Sequence, residues 1–152
     1  MNPAEQHIGF LLITHGEIGS SLLAVTRYIL GRELPHFAAV KVPFMAELPE
    51  LAQGGTPAPF AQRRQLLADR ILAAKILVDQ GRGIIVLTDI VGGTAFNTAR
   101  ELLPDGEDAI IAGVNLPMVL KAAEMAAQPL TPTEAATQLA ERSRQAILTR
   151  NS

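Results

Sequence analysis

Two unbroken apolar runs, each ending in a short polar loop, strongly limit how this chain can fold. Residues 8–13 lead into the segment Thr14-His15-Gly16, and residues 83–87 lead into a glycine-rich segment at 88–94. Apolar runs without alternation are typical of strands that are buried on both faces, as in parallel sheets covered by helices. We therefore interpret both runs as central strands of such a sheet.

The rest of the chain alternates between helix-like and strand-like segments. We expect strands at residues 8–13, 37–42, 83–88 and 109–112, and helices at 20–30, 61–80, 95–103, from 115 onward and at 131–147. A long connection at 43–59 is rich in proline and glycine, with one helical turn expected at 47–51. The alternation predicts an α/β fold with a doubly wound, mainly parallel sheet of order 2-1-3-4 and helices on both faces.

Composition excludes several classes of function. With 152 residues, 48% apolar and 18% charged, the chain fits one domain over residues 1–152. A net charge of −2 with scattered basic residues gives no general attraction to nucleic acid. The absence of cysteine removes disulfides and thiolate metal sites, and we expect neither a metal nor a cofactor. No apolar run approaches the ~20 residues that span a bilayer, so we expect a soluble, cytoplasmic protein without membrane insertion.

The expected strand order brings two distant polar residues together. In open α/β sheets, sites form outside the carboxyl ends of the strands, where the strand order reverses. That point lies between the first and third strands, whose loops carry His15 and Asp89. A carboxylate that accepts a hydrogen bond from one ring nitrogen fixes the tautomer and leaves the other nitrogen as a nucleophile. We expect Nδ1–H of His15 to face Asp89 and Nε2 to attack phosphorus, which makes both residues catalytic.

The glycine-rich loop suits the binding of a phosphoryl group. A transferred phosphoryl group spreads negative charge over its oxygens, so its catalysis needs positioned hydrogen-bond donors. Gly92 and Gly93 let backbone N–H groups approach the anion, and Thr94 adds a hydroxyl at the start of a helix. Gly16 can supply a backbone donor in the same way from the other loop. We interpret these four residues as phosphate-binding.

Four further polar residues lie close to the ends of strand-like segments. Thr14 and Asn115 both follow strand-like segments and are candidates to line the site, although Asn115 is most simply a helix cap. His7 lies in a polar N-terminal stretch, and His36 precedes the second strand. We expect both of these histidines to be exposed and without a role.

These segments resemble the mannose-type (mannose, fructose and sorbose) IIA domain of the bacterial phosphoenolpyruvate-dependent sugar phosphotransferase system. The resemblance runs from residue 8 to about residue 125 and is sharpest at 14–16, 89–97 and 111–118. It implies that His15 receives phosphate from the phosphorylated carrier protein HPr. It also implies that His15 passes the phosphate to a separate IIB partner, or that its phosphorylation state is itself a regulatory output. Asp89 then matches the carboxylate that orients the histidine.

The chain departs from the usual family pattern in several places. Thr94 stands where the family usually has serine, Ala95 replaces a usual proline, and Val91 replaces a usual large aromatic residue. Members of the family are usually homodimers, in which an antiparallel edge strand near the C-terminus can be exchanged between subunits. Residues 146–149 are equally compatible with that strand and with a continuation of the last helix.

Three other functions stay open on the sequence. The phosphoryl-donor subunit of dihydroxyacetone kinase shares this architecture, although the Gly-Gly-Thr loop favours the mannose-type IIA domain. Histidine phosphatases also place a nucleophilic histidine before a glycine, but they carry arginine where this chain has Thr14. Loss of that guanidinium would weaken the hold on phosphate. A regulator that binds anions or a partner without covalent chemistry is the third alternative.

Overall fold

The computed structural model describes residues 6–44, 59–103 and 106–150. In these residues, strands and helices alternate as the sequence pattern predicts. In chain order they are β1 (Gly9–Thr14), α1 (Ile18–Leu30), β2 (Phe37–Lys41), α2 (Pro59–Val78), β3 (Ile84–Thr88), α3 (Thr94–Leu102), β4 (Ala109–Ala112), α4 (Leu116–Met125) and α5 (Pro132–Gln145).

The four strands form one parallel sheet in the order β2-β1-β3-β4, which confirms the predicted fold and strand order. The strand order reverses between β1 and β3, because β2 lies on one side of β1 and β3 lies on the other. Ile13 lies opposite Thr88 in their register, while Thr14 lies opposite Lys41 of β2. The loops that follow β1 and β3 therefore leave the sheet from neighbouring positions at its carboxyl edge.

The strand β1 is buried on both faces because the helices form two layers. Phe10 and Leu12 belong to a core with α1, α4 and α5, whereas Leu11 and Ile13 belong to a core with α2 and α3. All six residues of β1 and all five of β3 are buried. This double burial explains why neither strand shows alternating polar and apolar residues.

Two expected segments lie at the limits of the described residues. The helical turn at 47–51 and most of the connection at 43–59 lie outside the described residues, and α2 begins at Pro59. The last helix ends at Gln145, and residues 147–150 form neither a continued helix nor a strand. Ile147 and Leu148 are 71% and 86% exposed, so burial against the described residues gives little support to a regular structure here.

The expectation that His36 is exposed is wrong. Its residue is only 4% exposed, and its ring stacks on His7, with the two ring centroids 4.7 Å apart. The backbone N–H of Phe10 donates to the C=O of His36 at 2.8 Å, which draws His36 against the start of β1. His7 is half-buried by the same contact. Burial, with smaller contributions from the charges of His7 and Arg32, lowers the pKa of His36 to about 4.

The helix α1 is capped by a residue of β1. The hydroxyl Oγ1 of Thr14 accepts a hydrogen bond from the backbone N–H of Gly19 at 2.8 Å, and Thr14 is only 1% exposed. The residue just before the helix, Glu17, makes no side-chain cap. A Cβ on Gly19 would lie 3.0 Å from Thr14 Oγ1 and 3.2 Å from Leu12 Cβ, so this helix end packs tightly on β1. The short loop that carries His15 is thereby fixed at both ends.

We expect His36 to make the stability of the protein depend on pH. The pKa of His36 in the folded protein is about 4, below its ordinary value of 6.5. The unfolded chain therefore binds a proton first, and stability falls as the pH drops from about 6.5 towards 4. Between about pH 7.5 and about pH 5, the free energy of unfolding should fall by about 2 kcal/mol because of His36. Urea denaturation of the wild type and of His36→Phe, which cannot titrate, at both pH values measures this change in the free energy of unfolding. An equal change in both proteins would contradict the prediction.

We expect Thr14→Val to destabilise the fold by about 1–3 kcal/mol, because it leaves the buried N–H of Gly19 without an acceptor. Thr14→Ser keeps the hydroxyl and should retain most of the stability. Urea denaturation of the three proteins measures the difference in the free energy of unfolding.

Thr26→Val is the matched control for this prediction. Thr26 is also fully buried, but its hydroxyl donates to the C=O of Leu22 within α1. That carbonyl keeps its helical partner when the hydroxyl is removed, so the cost should be about 1 kcal/mol or less. Equal losses in the free energy of unfolding in Thr14→Val and Thr26→Val would show that the cap by Thr14 does not stabilise the fold more than the Thr26 hydroxyl does.

Candidate functional site

The residues His15 and Asp89, 74 positions apart, meet at the carboxyl edge of the sheet. The ring nitrogen Nδ1 of His15 lies 2.9 Å from Oδ2 of Asp89, and the backbone N–H of His15 donates to the same oxygen, also at 2.9 Å. The side chain of His15 is 42% exposed and that of Asp89 is 15% exposed. Asp89 therefore fixes both the backbone and the ring of residue 15, while the ring stays accessible from solvent.

The charge of Asp89 decides which ring nitrogen carries the proton. Burial raises the pKa of Asp89, but hydrogen bonds from the backbone and ring of His15, together with attraction to that ring, outweigh burial and lower the pKa below its usual value. The carboxylate is therefore ionised at neutral pH and can only accept hydrogen bonds. The proton of the neutral ring must then reside on Nδ1, which leaves the lone pair of Nε2 free.

The glycine-rich loop lies against the imidazole ring. A Cβ placed on Gly93 would come within 4.0 Å of Cε1 of His15 and 3.0 Å of the Ile90 side chain. Gly92 has a φ of 72°, a left-handed conformation that favours glycine, and its C=O accepts a hydrogen bond from the Asn97 amide at 3.0 Å. The first N–H groups of a helix lack partners within it, and α3 begins at Thr94, directly after Gly93.

The remaining predicted site residues differ in how they relate to the pair of His15 and Asp89. Gly16, with a φ of 52°, follows His15 directly and is half-buried. Thr14 lies beneath the loop, where its hydroxyl is engaged by Gly19, so it supports the site from below and does not line its surface. Asn115 caps α4 by accepting a hydrogen bond from the Met118 N–H at 2.9 Å. It lines a cavity of about 100 Å³ formed by residues of β4, α4, α5 and the segments next to them, away from the His15 loop.

Two charged residues beside His15 were missed by the sequence analysis. Lys41, the last residue of β2, pairs through Nζ with Oε1 of Glu17 at 3.0 Å, and its ammonium also lies 4.9 Å from the centre of the Phe44 ring. Hydrogen bonds from Lys41 and from Ser20 lower the pKa of Glu17. Lys41 could have been found, because the strand order already places the end of β2 next to the end of β1.

Exposed apolar side chains surround the His15 loop. They occur on the segments that follow β1, β2 and β3, and all are between 46% and 69% exposed: Ile18, Phe44, Ile90 and Val91. We call these four residues the apolar rim. Exposed apolar groups clustered around a polar centre are typical of surfaces that contact another protein.

The described residues contain neither a metal-binding cluster nor a membrane-spanning helix. Across residues 6–44, 59–103 and 106–150, no group of three histidine, aspartate or glutamate side chains is arranged to hold a metal ion. No helix within those same ranges is long and apolar enough to cross a membrane.

The chain matches a model of a known protein family. The family model of the PTS system fructose IIA component, EIIA-man, matches residues 52–147. The matched segment contains Asp89 and the glycine-rich loop, whereas His15 lies before it. No curated protein sequence matches the chain.

Several solved structures share the fold. EIIA of a phosphotransferase system from Streptococcus agalactiae is 19% identical, with a TM-score of 0.70 over 93% of this chain and 96% of that chain. The mannose/sorbose specific IIA subunit from Enterococcus faecalis is 24% identical, with a TM-score of 0.63 over 95% and 96%. A PTS IIA protein associated with the fucose utilization operon of Streptococcus pneumoniae is 18% identical, with a TM-score of 0.59 over 95% and 93%.

The resemblance seen in the sequence is confirmed by these findings. The family model covers more than half of the 152 residues, and structures of phosphotransferase-system IIA components, one of them mannose/sorbose specific, share the fold over nearly their whole length. Proteins of this kind are phosphotransferase-type carriers of sugar transport systems. The chain belongs to the family of PTS fructose IIA components, EIIA-man.

Proposed function

We propose that the protein carries phosphate on His15, accepting it from phosphorylated HPr and passing it to a separate IIB partner or to a regulatory target. The observation that carries this proposal is the 2.9 Å contact between Nδ1 of His15 and Oδ2 of Asp89. It leaves Nε2 as the nucleophile. As a new P–N bond forms at Nε2, the P–N bond of the donor breaks and its electron pair returns to the donor ring. Asp89 then stabilises the positive charge that develops on the ring.

The transferred group would be held by backbone amides. We infer that the donors are the amides of Gly16, Gly92 and Gly93 and those at the start of α3, with the Thr94 hydroxyl, because Gly16 adjoins His15 and Gly93 lies against its ring. Donors that are already oriented stabilise the spread charge of a phosphoryl group without reorganising during transfer. The proposed mechanism needs neither a metal nor a cofactor.

Donor and acceptor would bind in turn to the same surface. A single phosphohistidine must be presented first to one protein and then to another, so both partners have to cover the His15 loop. The apolar rim around that loop offers a surface that either partner can bury. Since donor and acceptor belong to a phosphoryl relay of the cytoplasm, we propose that the protein acts there.

The alternatives from the sequence lose support at specific residues. A histidine phosphatase would need a phosphate-gripping side chain before His15, but Thr14 is buried and its hydroxyl is bound to Gly19. The family match favours a PTS component over the related subunit of dihydroxyacetone kinase. A regulator without covalent chemistry is distinguished by the labelling experiment below.

We further propose that the protein forms a homodimer through β4 and its C-terminal residues. Among the described strands, β4 pairs with β3 alone, and a groove of about 410 Å³ runs between β4 and α5. An open strand edge is a template for pairing with a second chain. The Ile147 and Leu148 side chains of a second copy are suited to cover this edge, because they are 71% and 86% exposed in the described part of their own chain.

Incubation with phosphoenolpyruvate, enzyme I and HPr should add one acid-labile phosphate, and peptide mapping by mass spectrometry should place it on His15. His15→Ala should abolish labelling while its circular dichroism spectrum stays native. His7→Ala is the matched control and should be labelled like the wild type. A mass increase that persists in His15→Ala, or release of inorganic phosphate without any adduct, would refute the carrier role.

The same assay tests the role of Asp89. Asp89→Asn should slow labelling by about 100-fold, because loss of the charged acceptor releases the ring from its orientation. Asp69→Asn removes an exposed carboxylate on α2 and should leave the rate unchanged. An unchanged rate in Asp89→Asn would mean that the carboxylate does not orient the nucleophile.

The dimer is tested by light scattering coupled to size exclusion. The wild type should elute with twice the mass of one chain, and the double variant Ile147→Asp, Leu148→Asp should elute as a monomer. Tyr28→Asp is the control, because Tyr28 is 88% exposed on α1, away from β4. A double variant that remains dimeric would place the interface elsewhere.

A further inference from the structure

We propose that the groove between α2 and α3 binds a small phosphate monoester at a site separate from His15. The groove has a volume of about 390 Å³, within the range of small-molecule sites. Arg63 and Arg64 of α2 line one side, and Arg100 of α3 lines the other. No other cavity described above gathers three guanidinium groups.

Two of these three charges lack a balancing carboxylate. Arg64 forms an ion pair with Glu101, which lies in the same groove. Arg63 uses its Nε to donate to the C=O of Pro43 at 2.7 Å, which leaves its terminal nitrogens available. Arg100 has no ion pair within the described residues, and neither has Arg63. The groove thus holds two uncompensated positive charges in a chain whose net charge is −2.

This charge and this shape select the class of ligand. A guanidinium group stays charged at all relevant pH values, and its planar donors match the oxygens of phosphate. A phosphate monoester carries a charge of about −1.5 to −2 at pH 7, which balances two arginines, whereas a single carboxylate balances one. The remaining volume has polar lining from Thr94, Asn97 and Thr98, which suits hydroxyl groups on the organic part of the ligand.

The groove is electrostatically linked to the proposed phosphorylation site. Thr94 lines the groove and begins α3 directly after Gly93, where a Cβ would lie 4.0 Å from Cε1 of the His15 ring. Two anions on either side of this residue repel each other. Phosphorylation of His15 should therefore weaken ligand binding, and by reciprocity the ligand should disfavour phosphorylation by the same factor. This coupling rests on the proposed function, whereas binding in the groove does not.

Isothermal titration of the unphosphorylated full chain with glucose 6-phosphate tests the site, with glucose and inorganic phosphate as comparison ligands. We expect binding of glucose 6-phosphate, none of glucose, and weaker binding of inorganic phosphate. Arg100→Gln and Arg63→Gln should each weaken binding by about tenfold or more. Arg142→Gln removes the same charge from the exposed face of α5, on the other side of the sheet, and should bind like the wild type.

The remaining outcomes separate this site from the catalytic one. His15→Ala should bind glucose 6-phosphate like the wild type, so that a failure of phosphoryl transfer and a failure of the groove give different results. Loss of binding in His15→Ala, with full binding in Arg100→Gln, would place the ligand on the glycine-rich loop and overturn the proposal. Binding of polyglutamate but not of glucose 6-phosphate would overturn it in favour of an acidic protein partner. Equal affinity for inorganic phosphate and the monoester would also overturn it.

Discussion

One carboxylate oxygen joins the two halves of the candidate site. Oδ2 of Asp89 accepts hydrogen bonds from both the backbone and the ring of His15, so the direction of the imidazole is tied to the pairing of β1 with β3. A slip of one residue between these strands would turn their side chains to the opposite layers and separate the two groups. The double burial of β1 and β3 makes such a slip costly. The core that stabilises the fold therefore also sets the geometry of the ring.

The sheet and the meeting of His15 with Asp89 could both be predicted, for one physical reason. Strands buried on both faces leave unbroken apolar runs, and parallel strands end at the same edge of a sheet. Once the order 2-1-3-4 is inferred, the residues that follow β1 and β3 must be neighbours. The cap of α4 by Asn115 and the start of α5 at Pro132 could be read in the same way, because capping depends on residues that are close in sequence.

Features that depend on contacts between distant surfaces could not be predicted. His36 lies between Pro35 and Phe37, and this local sequence does not show that a backbone hydrogen bond from Phe10 and a stack on His7 bury it. The groove between α2 and α3 gathers arginines from both helices, and the sequence pattern of either helix alone does not show this. Ile147 and Leu148 are exposed beyond the last helix, although their local pattern fits both a strand and a continued helix. Local periodicity carries no information about any of these.

The absence of arginine from the His15 loop suits a carrier better than a hydrolase. A carrier has to release its phosphoryl group to the next protein, so a strong bidentate grip would stabilise the loaded state and slow the transfer onward. In the proposed site, backbone amides and one hydroxyl would hold an anion less firmly than arginine, and the charge of Asp89 would stabilise the ring. The uncompensated guanidinium groups lie along the flank of α3. An anion bound there would repel a phosphoryl group on His15 without contacting it, so the ligand would disfavour the loaded state rather than hold it.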